Sequence, residues 1–266
     1  MRRLRLGGKV LRIRDEPEPP PRGPTPLVCI HGAGSSSVTF MDLVRRFQTG
    51  RRIIAPDLPG HGQSDRWHET ISLDGYRDAV GTVCAHLGLQ RALLLGHSMG
   101  AAVALRCALA WPERVAGLVL VAGGGVLSVD PEVMELLRAC LPPGDDTWVD
   151  RMPEPMARLS FSAETPAEVR DRWRAVLWAA PRSVVLGDFA ACDGFDVRDA
   201  LGTLRMPVLV VGGADDLLVP PQLLQETAAR IPGAQLVLLP RAAHLPHLEA
   251  PEAFCAALDD FLRAQK

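Results

Sequence analysis

Runs of apolar residues without polar alternation recur at positions 27–30, 53–55, 92–95, 118–121, 208–211 and 236–239. A strand wetted on one face alternates apolar and polar residues and one covered on both faces does not, so these runs predict strands of a mostly parallel sheet between helices. Helical spacing fills the gaps. Tyr76, Val80, Val83, Cys84 and Leu87 follow the rhythm of one helix face and stop before Gly88, a residue suited to closing a helix. Residues 103–110 also read as helix, as does Pro251–Arg263, which carries proline at its first position. Strand and helix in alternation predict a doubly wound α/β fold.

The rhythm breaks between Gly123 and Met206, where the patterns are helical and no strand is evident. Asp130-Pro131 opens one helix; Thr165-Pro166-Ala167-Glu168 reads as a capping box with Val169, Trp173, Val176 and Leu177 on one face behind it. The chain therefore divides into a first part of the core at 1–123, a helical cap insertion at 124–206 and a second part of the core at 207–266. Most of the insertion's large side chains (Met134, Trp148, Met152, Met156, Phe161, Trp173, Trp178) serve packing, and some line whatever it covers. At the other end, a short strand pair at 4–6 and 10–13 precedes the stretch 17–26, in which six of ten residues are proline and only a connector is possible.

Hydrophobic residues make up 47% of the 266 and charged residues 23%, which suits a globular chain with one sizeable core and excludes overall disorder. The net charge of −2 supplies no field to attract nucleic acid or an anionic membrane. The run 116–129 is too short and too glycine-rich to span a bilayer, and residues 1–14 lack the apolar stretch of a secretory signal. Six scattered cysteines (Cys29, Cys84, Cys107, Cys140, Cys192, Cys255) form no CxxC and read as buried free thiols, consistent with a cytoplasmic protein. Oligomeric state is left open.

Chemistry concentrates after the strands. Gly96-His97-Ser98-Met99-Gly100 follows the run 92–95 and opens a helix of small residues, the context of a nucleophile elbow, in which a strained turn projects a serine hydroxyl from the sheet. A serine needs a base and the base an orienting carboxylate. Asp215 and Asp216 follow the strand at 208–211, and His244 and His247 follow the strand at 236–239, giving the order Ser, Asp, His. Asp130 is a remote third candidate for the acid. His68 and His86 carry no ligand spacing, and His97 reads as a structural part of the elbow.

These features resemble the α/β-hydrolase superfamily in its capped serine-hydrolase, carboxylesterase-like branch. The resemblance rests on His31-Gly32-Ala33-Gly34, the stretch Asp57-Leu58-Pro59-Gly60-His61-Gly62-Gln63-Ser64, the elbow, Gly213-x-x-Asp216-x-x-x-Pro220, and His244 followed by Glu249 and Pro251; Ala101 departs from the glycine common after the elbow. It implies an eight-stranded-type sheet with Ser98, Asp216 and His244 as the catalytic triad, His247 at the surface or pocket rim, and the backbone N–H groups of Ala33 and Met99 as the oxyanion hole. The 57–64 stretch is then architectural. The implied reaction is hydrolysis of a small carboxylic ester through an acyl-enzyme, with no cofactor or metal. Enol-lactone, C–C, thioester or perhydrolase chemistry remains open on the same residues, as does, more remotely, a non-catalytic binding protein. Eleven acids against seven arginines between 126 and 190 point to a neutral substrate, subject to a well-aimed Arg138 or Arg174.

Overall fold

Eight strands form one sheet in the computed structural model, which describes residues 1–6, 8–16, 23–47, 50–67, 71–141, 148–149 and 152–265. In chain order they are β1 (Arg2–Leu6), β2 (Lys9–Glu16), β3 (Leu27–Ile30), β4 (Ile53–Pro56), β5 (Ala92–His97), β6 (Val115–Val121), β7 (Val208–Gly213) and β8 (Gln235–Leu239). They lie side by side as β1-β2-β4-β3-β5-β6-β7-β8, with β2 antiparallel to both of its neighbours and the rest parallel. Most of the proline-rich connector, His68, Asp145, Asp146, Asp150, Arg151 and the side chain of Trp148 lie outside the described residues.

The helices are α1 (Met41–Phe47), α2 (Leu73–His86), α3 (Met99–Ala110), α4 (Pro131–Cys140), α5 (Glu154–Ser160), α6 (Ala167–Arg174), α7 (Arg182–Cys192), α8 (Arg198–Leu201), α9 (Pro221–Arg230), α10 (Pro246–Glu249) and α11 (Pro251–Arg263). Continuous apolar runs arise because successive residues of a strand serve opposite faces. Leu94 of β5 joins the core under α2, α3 and α9, whereas Leu93 and Leu95 join the core under α1 and α11. Val208 and Val210 of β7 divide from Leu209 and Val211 in the same way. Helix α2 buries Tyr76, Val80 and Val83 as the spacing predicts, and Gly88 takes the left-handed conformation just beyond it, at φ 67°.

Helices α4 to α7 surround a third apolar cluster that includes Leu137, Met156, Trp173, Trp178 and Val184 and extends to Leu245 and Leu248 beside α10. The all-helical expectation for this stretch needs correction. Val126–Leu127 pairs with Phe195–Asp196 and Trp148–Val149 with Ala180–Pro181, both antiparallel. Two-residue strands are too short to leave a period-2 pattern. The capping box is also absent: α6 begins at Ala167, no side chain caps it, and the Thr165 hydroxyl donates instead to Glu249 Oε2 at 2.6 Å. Because α6 ends at Arg174, Val176 leaves the buried face and is 40% exposed. Asp130 does cap α4, accepting from the Glu132 N–H at 2.8 Å.

Candidate active site

Ser98 sits between the end of β5 and the start of α3 at φ 53°, ψ −119°, a conformation L residues rarely adopt and one that costs roughly 1–3 kcal/mol. Its N–H donates to the Val121 carbonyl and its carbonyl accepts from Ala101, each at 2.8 Å, which holds the turn. The glycines on either side are required by close approach. A Cβ on Gly96 would lie 2.1 Å from the Gly100 carbonyl oxygen, and one on Gly100 would lie 2.1 Å from that of Ile30. The chain turns sharply only because backbone packs on backbone there.

The loops after β7 and β8 bring a carboxylate and an imidazole to this hydroxyl. His244 Nε2 lies 2.9 Å from Ser98 Oγ, and His244 Nδ1 lies 2.9 Å from Asp216 Oδ2. Asp216 is 3% exposed; its other oxygen accepts the Leu218 and Val219 N–H groups at 2.9 and 3.0 Å, so the carboxylate is compensated and aimed. Asp215 is exposed and accepts from the Ser162 hydroxyl at 2.7 Å. Asp130 is exposed at the cavity edge and remains the cap of α4.

Glu249 secures the imidazole's loop. One oxygen accepts the N–H groups of Ala243 and Leu245, on either side of His244, both at 3.0 Å; the other accepts from Ser162 N–H at 2.8 Å and the Thr165 hydroxyl. The His244 N–H itself donates to the Ser160 carbonyl at 3.1 Å. In the sequence Glu249 stands out only by its place after His244, because its partner Ser162 lies 87 positions away.

Gly32, Ala33, Ser98 and His244 open onto a cavity of about 420 Å³. Its walls include Leu127, Val133, Met152, Met156, Leu177, Trp178, Phe189, Leu218 and Val219, whereas Trp173 and Phe161 lie buried in the packing. Ala33 thus faces the space in front of Ser98; Met99 opens α3, where first-turn N–H groups have no intrahelical acceptor. No arginine or lysine of the described residues lines the cavity. Arg138 is exposed on α4, and Arg174 is committed to the Met152 carbonyl at 2.8 Å and to Glu154 at 2.5 Å.

His247 departs from the expected surface or rim position. It is buried between His97, Phe40 and Phe254 and pairs through Nε2 with the Thr39 hydroxyl at 2.9 Å. Burial, reinforced by the nearby His244, pushes its pKa down to about 3. His97 is buried beside it and donates through Nε2 to the His244 carbonyl at 2.8 Å, and burial holds it well below the usual histidine range. His31, at the head of the His31-Gly32-Ala33-Gly34 turn, donates from Nδ1 to the Gly32 carbonyl and accepts the Leu58 N–H at Nε2. Burial and then the neighbouring His61 lower it to about 4. Asp57 accepts the N–H groups of Ser37 and Gln63, so the 57–64 stretch ties loops together as architecture. His86 is exposed on α2. All six cysteines are free, with Cys84 and Cys140 half-buried and the others buried. Among the described residues no cluster of three or more His, Cys, Asp or Glu side chains could hold a metal ion, and no helix is long and apolar enough to cross a membrane.

Known proteins are similar to this chain over most of its length. The chain is 32% identical over 250 residues to the pimeloyl-[acyl-carrier protein] methyl ester esterase of Sodalis glossinidius, covering 90% of this chain and 94% of that one. It is 31% identical over 265 residues to the dihydrolipoyllysine-residue acetyltransferase component of the acetoin cleaving system of Pseudomonas putida, covering 97% of this chain and 68% of that one. Among solved structures, a thermophilic esterase from Thermogutta terrifontis in its malate-bound form is similar at a TM-score of 0.86 and 26% identity, covering 100% of this chain and 99% of that one. Residues 27–257 match the model of the alpha/beta hydrolase family, and the chain belongs to that family.

Proposed function

We propose that the protein is a serine hydrolase that cleaves the carboxylic ester of a small, neutral substrate through an acyl-enzyme on Ser98. The observation that carries this reading is the line from Asp216 through His244 to Ser98, with both contacts at 2.9 Å, opening on an apolar cavity. Ser98 Oγ attacks the ester carbonyl while His244 Nε2 takes its proton. The tetrahedral oxyanion is received by the N–H groups of Ala33 and Met99. Collapse breaks the bond to the alcohol, which leaves with the proton from His244. Water then attacks the acyl-enzyme with His244 again as base, releasing the acid and restoring Ser98. Asp216 holds Nδ1–H and stabilises the imidazolium formed in each half.

The neutral-substrate element rests on the cavity's walls. Within it a carboxylate or phosphate would find no arginine or lysine of the described residues, whereas an acyl chain meets Met, Leu, Val and Trp side chains. A methyl ester, the bond named for the Sodalis relative, suits such walls.

A fluorophosphonate probe tests the chemistry: the expected result is one adduct per chain, absent from Ser98→Ala. An unlabelled wild-type protein, or labelling that survives Ser98→Ala, overturns it. Paired esters that differ only in a terminal methyl or carboxylate test the substrate class. A kcat/KM advantage of about tenfold for the carboxylate, equivalent to about 1.4 kcal/mol, would refute the neutral preference.

A further inference from the structure

Asp188 lies on α7, in the helical layer, with none of its surface exposed. Its Oδ2 accepts the Gly34 N–H at 2.8 Å and faces His61 Nε2 at 2.7 Å, and its Oδ1 accepts the Tyr76 hydroxyl at 2.6 Å. These partners come from three places in the sheet-bearing part of the chain: the turn after β3, the loop after β4 and helix α2. A carboxylate fully withdrawn from water persists only where such donors replace its hydration. The same layer grips Gly34 a second time, since the Gly34 carbonyl accepts the Ala179 N–H at 2.8 Å. Helix α7 also sits directly on the turn, because a Cβ on Gly34 would lie 3.2 Å from Val185 Cγ2. The peptide following Ala33 is thus fixed at its N–H by a buried charge and, one peptide on, at a carbonyl by the backbone of the layer.

We infer that Asp188 is a positioning residue for catalysis, holding Gly34 so that the adjacent Ala33 N–H points at the developing oxyanion and thereby making the oxyanion hole depend on the seating of α7. The inference rests on the proposed role of the Ala33 N–H. Helix α7 does not touch the reacting atoms through Asp188; it acts through the turn. Oxyanion donors matter more to the transition state than to the bound ester. A misaimed donor therefore lowers kcat and spares KM.

The test uses Asp188→Asn, which keeps the side chain's volume and removes its charge, with Tyr76→Phe as the control that removes a bond to the same carboxylate without touching Gly34. For Asp188→Asn the expected result is a fall in kcat of about thirtyfold or more with KM within about threefold. Affinity for a trifluoromethyl ketone, which forms an oxyanion on Ser98, should fall in parallel, and affinity for the matching unreactive ether should hold. Tyr76→Phe should keep ketone affinity within about threefold. The inference is overturned if Asp188→Asn retains full kcat, or if ketone and ether affinities fall together. If the variant does not fold, hydrogen exchange in the wild-type protein decides: the Gly34 N–H should exchange as slowly as those of β3, and free exchange overturns the inference. Failure of the serine-hydrolase reading is separate, because it appears as a wild-type protein that forms no fluorophosphonate adduct.

Discussion

Ser98, His244 and Asp216 come from three loops and meet within hydrogen-bond reach, so in the proposed mechanism each acts only with the others. Ser98→Ala and His244→Ala should each lower ester hydrolysis by about 10⁴-fold or more, measured as kcat/KM on a purified variant of unchanged fold. Near-normal turnover by Ser98→Ala would remove the serine from the mechanism. The two neighbouring aspartates separate by their partners. Asp216 faces His244, whereas Asp215 receives the Ser162 hydroxyl of the helical layer. Asp216→Asn should therefore cost at least about tenfold more activity than Asp215→Asn, because in the proposed mechanism only the former removes the charge that stabilises the imidazolium. Equal losses would mean that the carboxylates act through the fold rather than through the base.

At the scale of elements, the turn between β5 and α3 is set by packing, and the turn after α2 by local backbone conformation. Gly100→Ala forces a methyl group to within 2.1 Å of the Ile30 carbonyl oxygen, a backbone atom that cannot rotate away, whereas a Cβ on Gly88 meets nothing within 4 Å. Gly88→Ala should cost about 1 kcal/mol, for the left-handed conformation alone, and Gly100→Ala more than about 3 kcal/mol or the folded state itself. Urea unfolding midpoints compare them, and a Gly100→Ala protein as stable as Gly88→Ala would contradict the close approach. The same division between local and distant causes explains what the sequence discloses. Runs such as 92–95 and 208–211 announce strands because burial on both faces is written into consecutive residues. The resemblance to the α/β-hydrolase superfamily, through Gly213-x-x-Asp216-x-x-x-Pro220, points to Asp216, the carboxylate that meets His244, whereas the residues alone leave Asp215 and Asp216 equal. Thr165 misleads because Glu249, 84 positions away, competes for its hydroxyl, and no local pattern records that. The pairing of Asp188 with His61 spans 127 positions and is silent in the sequence for the same reason. His247, flanked by proline and leucine, gives no local sign that Phe40 and Phe254 enclose it.

For the whole molecule, the buried imidazoles couple folding to pH. Burial, with His61 as the second cause, lowers His31 from its ordinary 6.5 to about 4. Burial, with His244 second, lowers His247 to about 3, and His97 is also held well below 6.5. In all three the folded pKa lies below the unfolded one, so the unfolded chain binds protons that the folded chain excludes. Above about pH 8 neither state is protonated at these rings and they contribute no pH dependence. As pH falls through 6.5 the unfolded state gains protons first, and stability drops by about 1.4 kcal/mol per pH unit for each proton taken up. The loss from a given ring stops only when the folded form is itself protonated, near pH 4 for His31 and near pH 3 for His247. At pH 5 these three rings should therefore take up about three protons on unfolding. Carboxylates titrate in the same range, so the contribution of one ring is best isolated by difference. His247→Gln should flatten the slope of unfolding free energy between pH 6 and 5 by about 1.2 kcal/mol per unit and leave the slope above about pH 8 unchanged. Urea titrations at each pH measure this. An unaltered slope between pH 6 and 5 in His247→Gln would mean that the folded protein admits a proton to His247, and that this ring does not limit acid stability.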